Sequence, residues 1–197
     1  MGQITHFDIS VMKIMYGLSG FVETGTWMGD AVEAAFNAGY SPIFSIELNE
    51  EICEKATKRF AGRDNITILQ GSSESRLPEI ISKLSSPTLW WLDAHLPDLR
   101  YDNKVNEKGA LPSDQNHKFP LEIELKMISS LRDLSTDVIV IDDLRIYEKG
   151  PFEHGNAPWE HSYYERGGAD FVEEILGKTH KCMKSYDNEG YIVCTPK

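Results

Sequence analysis

Phe21-Val22-Glu23-Thr24-Gly25-Thr26-Trp27-Met28-Gly29 is the stretch on which the rest of the chain turns. Phe21-Val22-Glu23 has the composition of a short strand and runs directly into a turn with glycines at 25 and 29. Glycine accepts positive φ and lets backbone pass close to a ligand. Asp30 to Ala38 follows, with Val32, Ala35 and Phe36 at helical spacing, and stops at Gly39. By itself the turn does not choose between a ligand and simple strand–helix packing.

The downstream sequence repeats this unit. Pro42 to Glu47 reads as a second strand, and Glu47 lies 18 residues after Gly29. An acid at about that distance is placed to hydrogen-bond a ribose diol. Asn49 is a helix cap followed by Glu50 and Glu51, with Ile52, Ala56 and Phe60 on one face. Asn65–Gln70, Thr88–Asp93 and Asp137–Asp142 read as strands, and 77–84 and 120–131 as helices between them. The run Asp-Val-Ile-Val-Ile-Asp is apolar on both faces, as in a parallel sheet covered by helices. After a helix at 168–177, Lys181–Tyr186 and Tyr191–Thr195 read as a hairpin. The expected fold class is α/β: a Rossmann-like, doubly wound, mostly parallel seven-stranded sheet with an antiparallel C-terminal hairpin. One domain, 1–197, is expected, with a lid-like insertion at 97–119 and a second long loop at 145–167.

The glycine spacing narrows the ligand. A dinucleotide fingerprint, Gly-x-Gly-x-x-Gly, is absent. Instead an acid ends strand one, with glycines two and six residues later. This resembles motif I of the class I S-adenosylmethionine-dependent methyltransferases, with Trp27 in place of the middle glycine. The form Glu-Thr-Gly-x-Trp-x-Gly is similar to that of the metal-dependent macrolide-sugar O-methyltransferases. The resemblance implies S-adenosylmethionine as cofactor. It implies that Glu23 serves the amino-acid end of that cofactor through the turn. Gly25, Thr26, Trp27 and Gly29 would line it, and Glu47 would hold the ribose. Gly71-Ser72-Ser73 falls where the family binds adenine, with Ser72 where an Asp is common.

A second constellation is acidic. Strand four ends in Asp93 and strand five in Asp142-Asp143. Neighbouring strands lie about 4.8 Å apart, so these carboxylates converge. Converging carboxylates repel unless a cation or a shared proton offsets them. Hard oxygen donors suit Mg²⁺, Mn²⁺ or Ca²⁺, so Asp93, Asp142 and Asp143 are candidate metal ligands, with Mg²⁺ the expected ion. The arrangement looks like that of the cation-dependent O-methyltransferases, catechol O-methyltransferase among them. Asp93, beside the glycine turn, is also counted with the cofactor and catalytic residues. His95, two residues on, is a candidate general base, with a metal contact or a hydrogen bond to a carboxylate such as Glu124 as alternatives. His161 with Trp159, Tyr163 and Tyr164 is a candidate substrate wall, and His117 has no assigned partner. Trp90 and Trp91 must face opposite ways and read as packing residues.

Composition excludes more than it identifies. The 197 residues carry 20 Lys and Arg against 31 Asp and Glu, a formal net charge of −11. That argues against a nucleic-acid or anionic-membrane partner. Cys53, Cys182 and Cys194 form no Cys-x-x-Cys pair, so neither a disulfide framework nor a zinc ribbon is expected. With no long apolar run and no basic-then-apolar leader, the expected location is cytoplasmic. His6 breaks the myristoylation pattern. The expected partner is a small-molecule acceptor with paired oxygens, and a homo-oligomer is compatible. The expected reaction is methyl transfer from S-adenosylmethionine to a hydroxyl, assisted by a divalent cation. A nucleotide-dependent oxidoreductase, a metal-dependent hydrolase and a silent nucleoside-binding module are the alternatives.

Overall fold

The structure is a computed structural model, describing residues 3–95, 119–157, 163 and 168–197. Seven strands form one sheet: β1 Gly20–Thr24, β2 Ile43–Glu47, β3 Ile66–Gln70, β4 Thr88–Leu92, β5 Val138–Ile141, β6 His180–Ser185 and β7 Tyr191–Pro196. Their order is β3-β2-β1-β4-β5-β7-β6. The first five pair in parallel, while β7 runs antiparallel to both β5 and β6. Chain order reverses between β1 and β4, which makes their C-terminal ends a switch point where ligands bind in open α/β sheets.

Both faces of the sheet are covered. On one face Val22, Trp90, Leu92, Ile139 and Ile141 pack against α4 Ser73–Ile81, α5 Leu121–Leu131 and α6 Asp170–Leu176. On the other, Phe21, Ile43, Leu89, Trp91 and Val140 pack against α1 Ile9–Tyr16 and α2 Asp30–Asn37, with Phe60 at the end of α3 Glu50–Arg59. The two tryptophans divide between the faces as their adjacency in one strand requires. Leu121, Leu125 and Ile128 are all buried, as their helical phase demands.

Three features differ from the sequence expectation. The segment Ile4–Tyr16 holds a 3₁₀ turn and α1, capped by Asp8, whose carboxylate accepts from Val11 N at 3.0 Å. Its apolar residues ring the helix, so no amphipathic stripe announced it; Ile14 is 81% exposed while Ile9 is buried. Helix α4 begins at Ser73, four residues before the expected start. Ser72 caps it, and Pro78 sits inside it, lacking the N–H that would reach back one turn. Cys182 and Cys194 are joined as a disulfide, because the β6–β7 register sets them directly opposite. The expectation of no disulfide rested on spacing along the chain, which does not show hairpin register.

At the N-terminal edge a buried clamp ties β4 and β5 to their flanking loops. Asp137 is fully buried and accepts from Thr88 N at 3.0 Å, Trp90 Nε1 at 2.9 Å and Arg132 Nε at 2.7 Å. Arg132 also donates to the carbonyls of Leu84 and Ser86. The expected lid at 97–119 lies outside the described residues apart from Phe119. So do Trp159, His161, Tyr164 and His117.

Candidate active site

Register brings the acidic residues to one level. Ile46, Thr24, Leu92 and Ile141 are partners across β2-β1-β4-β5. The next residues along, Glu47, Gly25, Asp93 and Asp142, therefore stand side by side at the C-terminal edge. Backbone bonds carry the ladder one step further: Gly25 N to Ile46 O at 2.9 Å, Asp93 N to Thr24 O at 3.1 Å and Asp142 N to Leu92 O at 3.0 Å.

The glycine turn is pressed onto β4. Gly25 has φ +88°, and a Cβ there would lie 2.7 Å from the Asp93 carbonyl oxygen. Gly29 has φ +84°, and its Cβ would meet the Phe60 ring at 2.6 Å. Between them Trp27 holds φ +46°, a left-handed conformation uncommon for a bulky side chain. Glu47 holds it there, with one oxygen accepting from Trp27 N and the other from Asn49 N, both at 2.8 Å. Leu48 N–H also bonds this carboxylate, which still has lone-pair capacity for a ligand hydroxyl.

Beneath the turn, Ser45 Oγ donates to Glu23 Oε2 at 2.5 Å and pairs with Thr26 Oγ1 at 2.6 Å. With Ser45 donating to Glu23, Thr26 must donate to Ser45. Burial pushes the Glu23 carboxyl up to about 8, against the Ser45 bond and reinforced by repulsion from Glu47. Glu23 therefore reaches the turn through Ser45 and Thr26. On the opposite face Thr24 Oγ1 donates to Glu124 Oε2 at 3.3 Å. Burial pushes Glu124 up to about 7, opposed by the Ser73 and Thr24 hydroxyls. Ser72 and Ser73 are thus both engaged: Ser72 Oγ accepts from Ser75 N at 3.3 Å, and Ser73 bonds Glu124.

Past β4 and β5 lie Asp93, His95, Asp142 and Asp143. One donor atom from each of Asp93, His95 and Asp143 lies within 4.8 Å of the others. His95 Nε2 is 2.5 Å from Asp143 Oδ2 and 3.5 Å from Asp93 Oδ1. Asp143 is left-handed at φ +54°, and its N–H donates to Asp142 Oδ1 at 2.7 Å. Asp142 Oδ2 is buried and accepts no hydrogen bond from the described residues. Burial and then repulsion from Asp142, Asp143 and Glu23 push Asp93 well above the usual carboxylate range. Asp142 is raised in the same way, with Asp143 its main repulsive neighbour. Burial pushes His95 down, against the pull of Asp143. This is an edge short of positive charge. Arg145 Nε, 3.5 Å from Asp143 Oδ1, offsets part of it.

No protein-family model matches the sequence, and no curated protein sequence matches it. Solved structures do. A Staphylococcus aureus protein assigned as a caffeoyl-CoA O-methyltransferase superposes with a TM-score of 0.67 at 13% identity, over 100% of this chain and 85% of that one. The O-methyltransferase TomG of Streptomyces achromogenes, involved in tomaymycin synthesis and solved with S-adenosylmethionine, gives 0.55 at 15% identity, covering 96% and 78%. This is the class I methyltransferase fold. A Clostridium thermocellum protein assigned as an rRNA methylase gives 0.58 at 12%, covering 100% and 99%. The methyltransferase fold is therefore shared by proteins with different acceptors, and the acceptor must be argued from the site.

Within that methyltransferase fold, Glu23, Gly25, Thr26, Trp27, Gly29, Glu47 and Asp93 converge on one edge. Among the candidate metal residues, Asp93 and Asp143 meet, with His95 as the third donor. Asp142 stands beside them, one of its oxygens committed to the Asp143 backbone. Thr24, Ser45 and Glu124 complete the supports of the turn. Glu124 was expected, if anything, beside His95, and it bonds Thr24 and Ser73 instead. A polar residue on the core-facing side of α5 is the one sequence signal that marks it.

Proposed function

We propose that the chain transfers the methyl group of S-adenosylmethionine to a hydroxyl of a small-molecule acceptor with paired oxygens, using a divalent cation held at Asp93, Asp142 and Asp143. The observation that carries this reading is the single edge on which the glycine turn, Glu47 and the acidic cluster meet. S-adenosylmethionine, when bound, supplies an electrophilic methyl on a sulfonium. A cation, when bound, would lower the pKa of a coordinated hydroxyl.

The chain's own residues supply position and charge. Gly25 and Gly29 let the turn press onto the Asp93 carbonyl and the Phe60 ring, which fixes the backbone against which the cofactor would lie. Glu47 fixes the turn and has lone pairs left for a ribose diol. The electronegative edge suits a sulfonium on one side and a dication on the other. The buried oxygen of Asp142 that accepts no hydrogen bond from the described residues fits a cation, since burying an unsatisfied carboxylate is costly. Burial favours the neutral imidazole of His95, whose lone pair is competent either to take a proton or to ligate. Most of the rate gain would come from holding the two reactants in line.

The acidic surface favours this reading over a nucleic-acid acceptor. The absence of Gly-x-Gly-x-x-Gly disfavours an oxidoreductase. No helix among the described residues is long and apolar enough to cross a membrane. The test is methyl transfer from labelled S-adenosylmethionine to a panel of catechols, vicinal-diol sugars and mono-hydroxyl controls, with Mg²⁺, with Mn²⁺ and with chelator. Cation-dependent methylation of paired-oxygen acceptors is expected. Transfer that ignores chelator would remove the cation, and absence of any transfer with S-adenosylmethionine bound would favour a silent module.

A further inference from the structure

We propose that His95 is itself a cation ligand, so that the site takes a first-row transition dication, of the Mn²⁺ to Zn²⁺ series, in preference to Mg²⁺. This rests on the cation reading above and specifies which cation that site selects.

The geometry points to it in three ways. His95 Nε2 stands 2.5 Å from Asp143 Oδ2 and 3.5 Å from Asp93 Oδ1. Neighbouring ligands of an ion bound at about 2.1 Å lie about 3 Å apart, so small side-chain shifts bring these donors, all within 4.8 Å of one another, into one coordination shell. Second, Asp143 is not arranged like an ordinary turn residue. Its backbone is left-handed, and its N–H goes to the neighbouring Asp142 carboxylate. That conformation separates the two adjacent side chains and sets Asp143 against His95. Left-handed non-glycine residues cluster at functional sites because the surroundings must hold them there. Third, Asp143 is only 3% exposed, and its Oδ1 accepts no hydrogen bond from the described residues, with Arg145 Nε 3.5 Å away. A carboxylate buried that deeply needs positive charge beyond the Arg145 contact at Oδ1, and the other donors gather on the side of Oδ2, where His95 stands.

The donor chemistry then chooses the ion. Mg²⁺ takes oxygen ligands and sheds water reluctantly. An imidazole nitrogen beside two carboxylates suits Mn²⁺, Fe²⁺, Co²⁺ or Zn²⁺. An all-carboxylate site would have a weaker bias. As a ligand, His95 would have its lone pair committed and would not act as the general base expected from the sequence.

The test uses the full chain with MnCl₂ as the probe, followed by electron spin-echo envelope modulation of the bound ion. Nitrogen modulation from a directly bound imidazole is expected. It should change to the ¹⁵N pattern when the protein is labelled with ¹⁵N-histidine alone, a measurement that needs no variant. In His95→Gln the modulation should vanish and Mn²⁺ affinity fall at least tenfold, with Mg²⁺ affinity changed less than threefold. Mn²⁺ bound without histidine nitrogen coupling would overturn this proposal and leave the cation reading standing. Failure of both Mn²⁺ and Mg²⁺ to bind would overturn both.

Discussion

Replacing Glu23 by glutamine keeps the shape of a buried side chain and removes its titration. Glu23 is 2% exposed, and its carboxyl is raised from 4.5 to about 8, chiefly by burial. Below pH 4.5 the group is protonated in both the native and unfolded chains. Between 4.5 and 8 the unfolded chain releases the proton and the native chain keeps it. Stability therefore falls as pH rises, by about 1.4 kcal/mol per unit for this group, and levels off above 8 at a loss of about 5 kcal/mol. The Glu23→Gln variant has no such loss. Its stability relative to the parent should rise by about 3 kcal/mol between roughly pH 6 and roughly pH 9. Urea denaturation followed by circular dichroism at both pH values gives the double difference, in which other titrating groups largely cancel. A difference that stays constant with pH would show that Glu23 is ionised in the native state and would refute the electrostatic account of the turn.

Three further outcomes follow from the same geometry. Gly25→Ala places a Cβ 2.7 Å from the Asp93 carbonyl at φ +88°; the left-handed conformation alone costs about 1–2 kcal/mol. Calorimetry should show at least a tenfold loss of S-adenosylhomocysteine affinity in a protein that still folds. Arg132→Met leaves the fully buried Asp137 without its charged partner and should destabilise the chain by about 3–5 kcal/mol, read by urea denaturation, with no effect on cofactor affinity per folded molecule. Asp142→Asn removes a charge from the cluster that raises Asp93. It should weaken divalent-cation binding at least tenfold by titration calorimetry, while raising cation-free stability at neutral pH.

Strand identity and order of chemistry were legible because both rest on local pattern. The apolar runs at 43–46, 88–92 and 138–141 end in Glu47, Asp93 and Asp142, and a parallel sheet places such ends at one edge. The side-chain links were not legible. Thr24 to Glu124 spans 100 positions, and nothing in either local sequence names the other. The same holds for Ser45, which reads as a strand residue and in fact couples Glu23 to Thr26. The N-terminal helix was missed because its apolar residues lie all round it, although Asp8 was a readable cap. The start of α4 was missed because Pro78 obscured a helix that Ser72 had already begun. The cysteine pair depends on hairpin register, which the four-residue turn Asp187-Asn188-Glu189-Gly190 does not fix by itself. Adjacency groups Asp143 with Asp142, but the left-handed backbone of Asp143 gives the two side chains different partners.

The central claim is that the glycine turn, Glu47 and the acidic edge form a site for S-adenosylmethionine. Isothermal titration of the full chain with S-adenosylhomocysteine, with NAD⁺ as the control, tests it most directly. The account predicts one site of about micromolar affinity for S-adenosylhomocysteine, weakened by Glu47→Gln, and no heat with NAD⁺. A folded chain that ignores S-adenosylhomocysteine, or that binds NAD⁺ in its place, would contradict it.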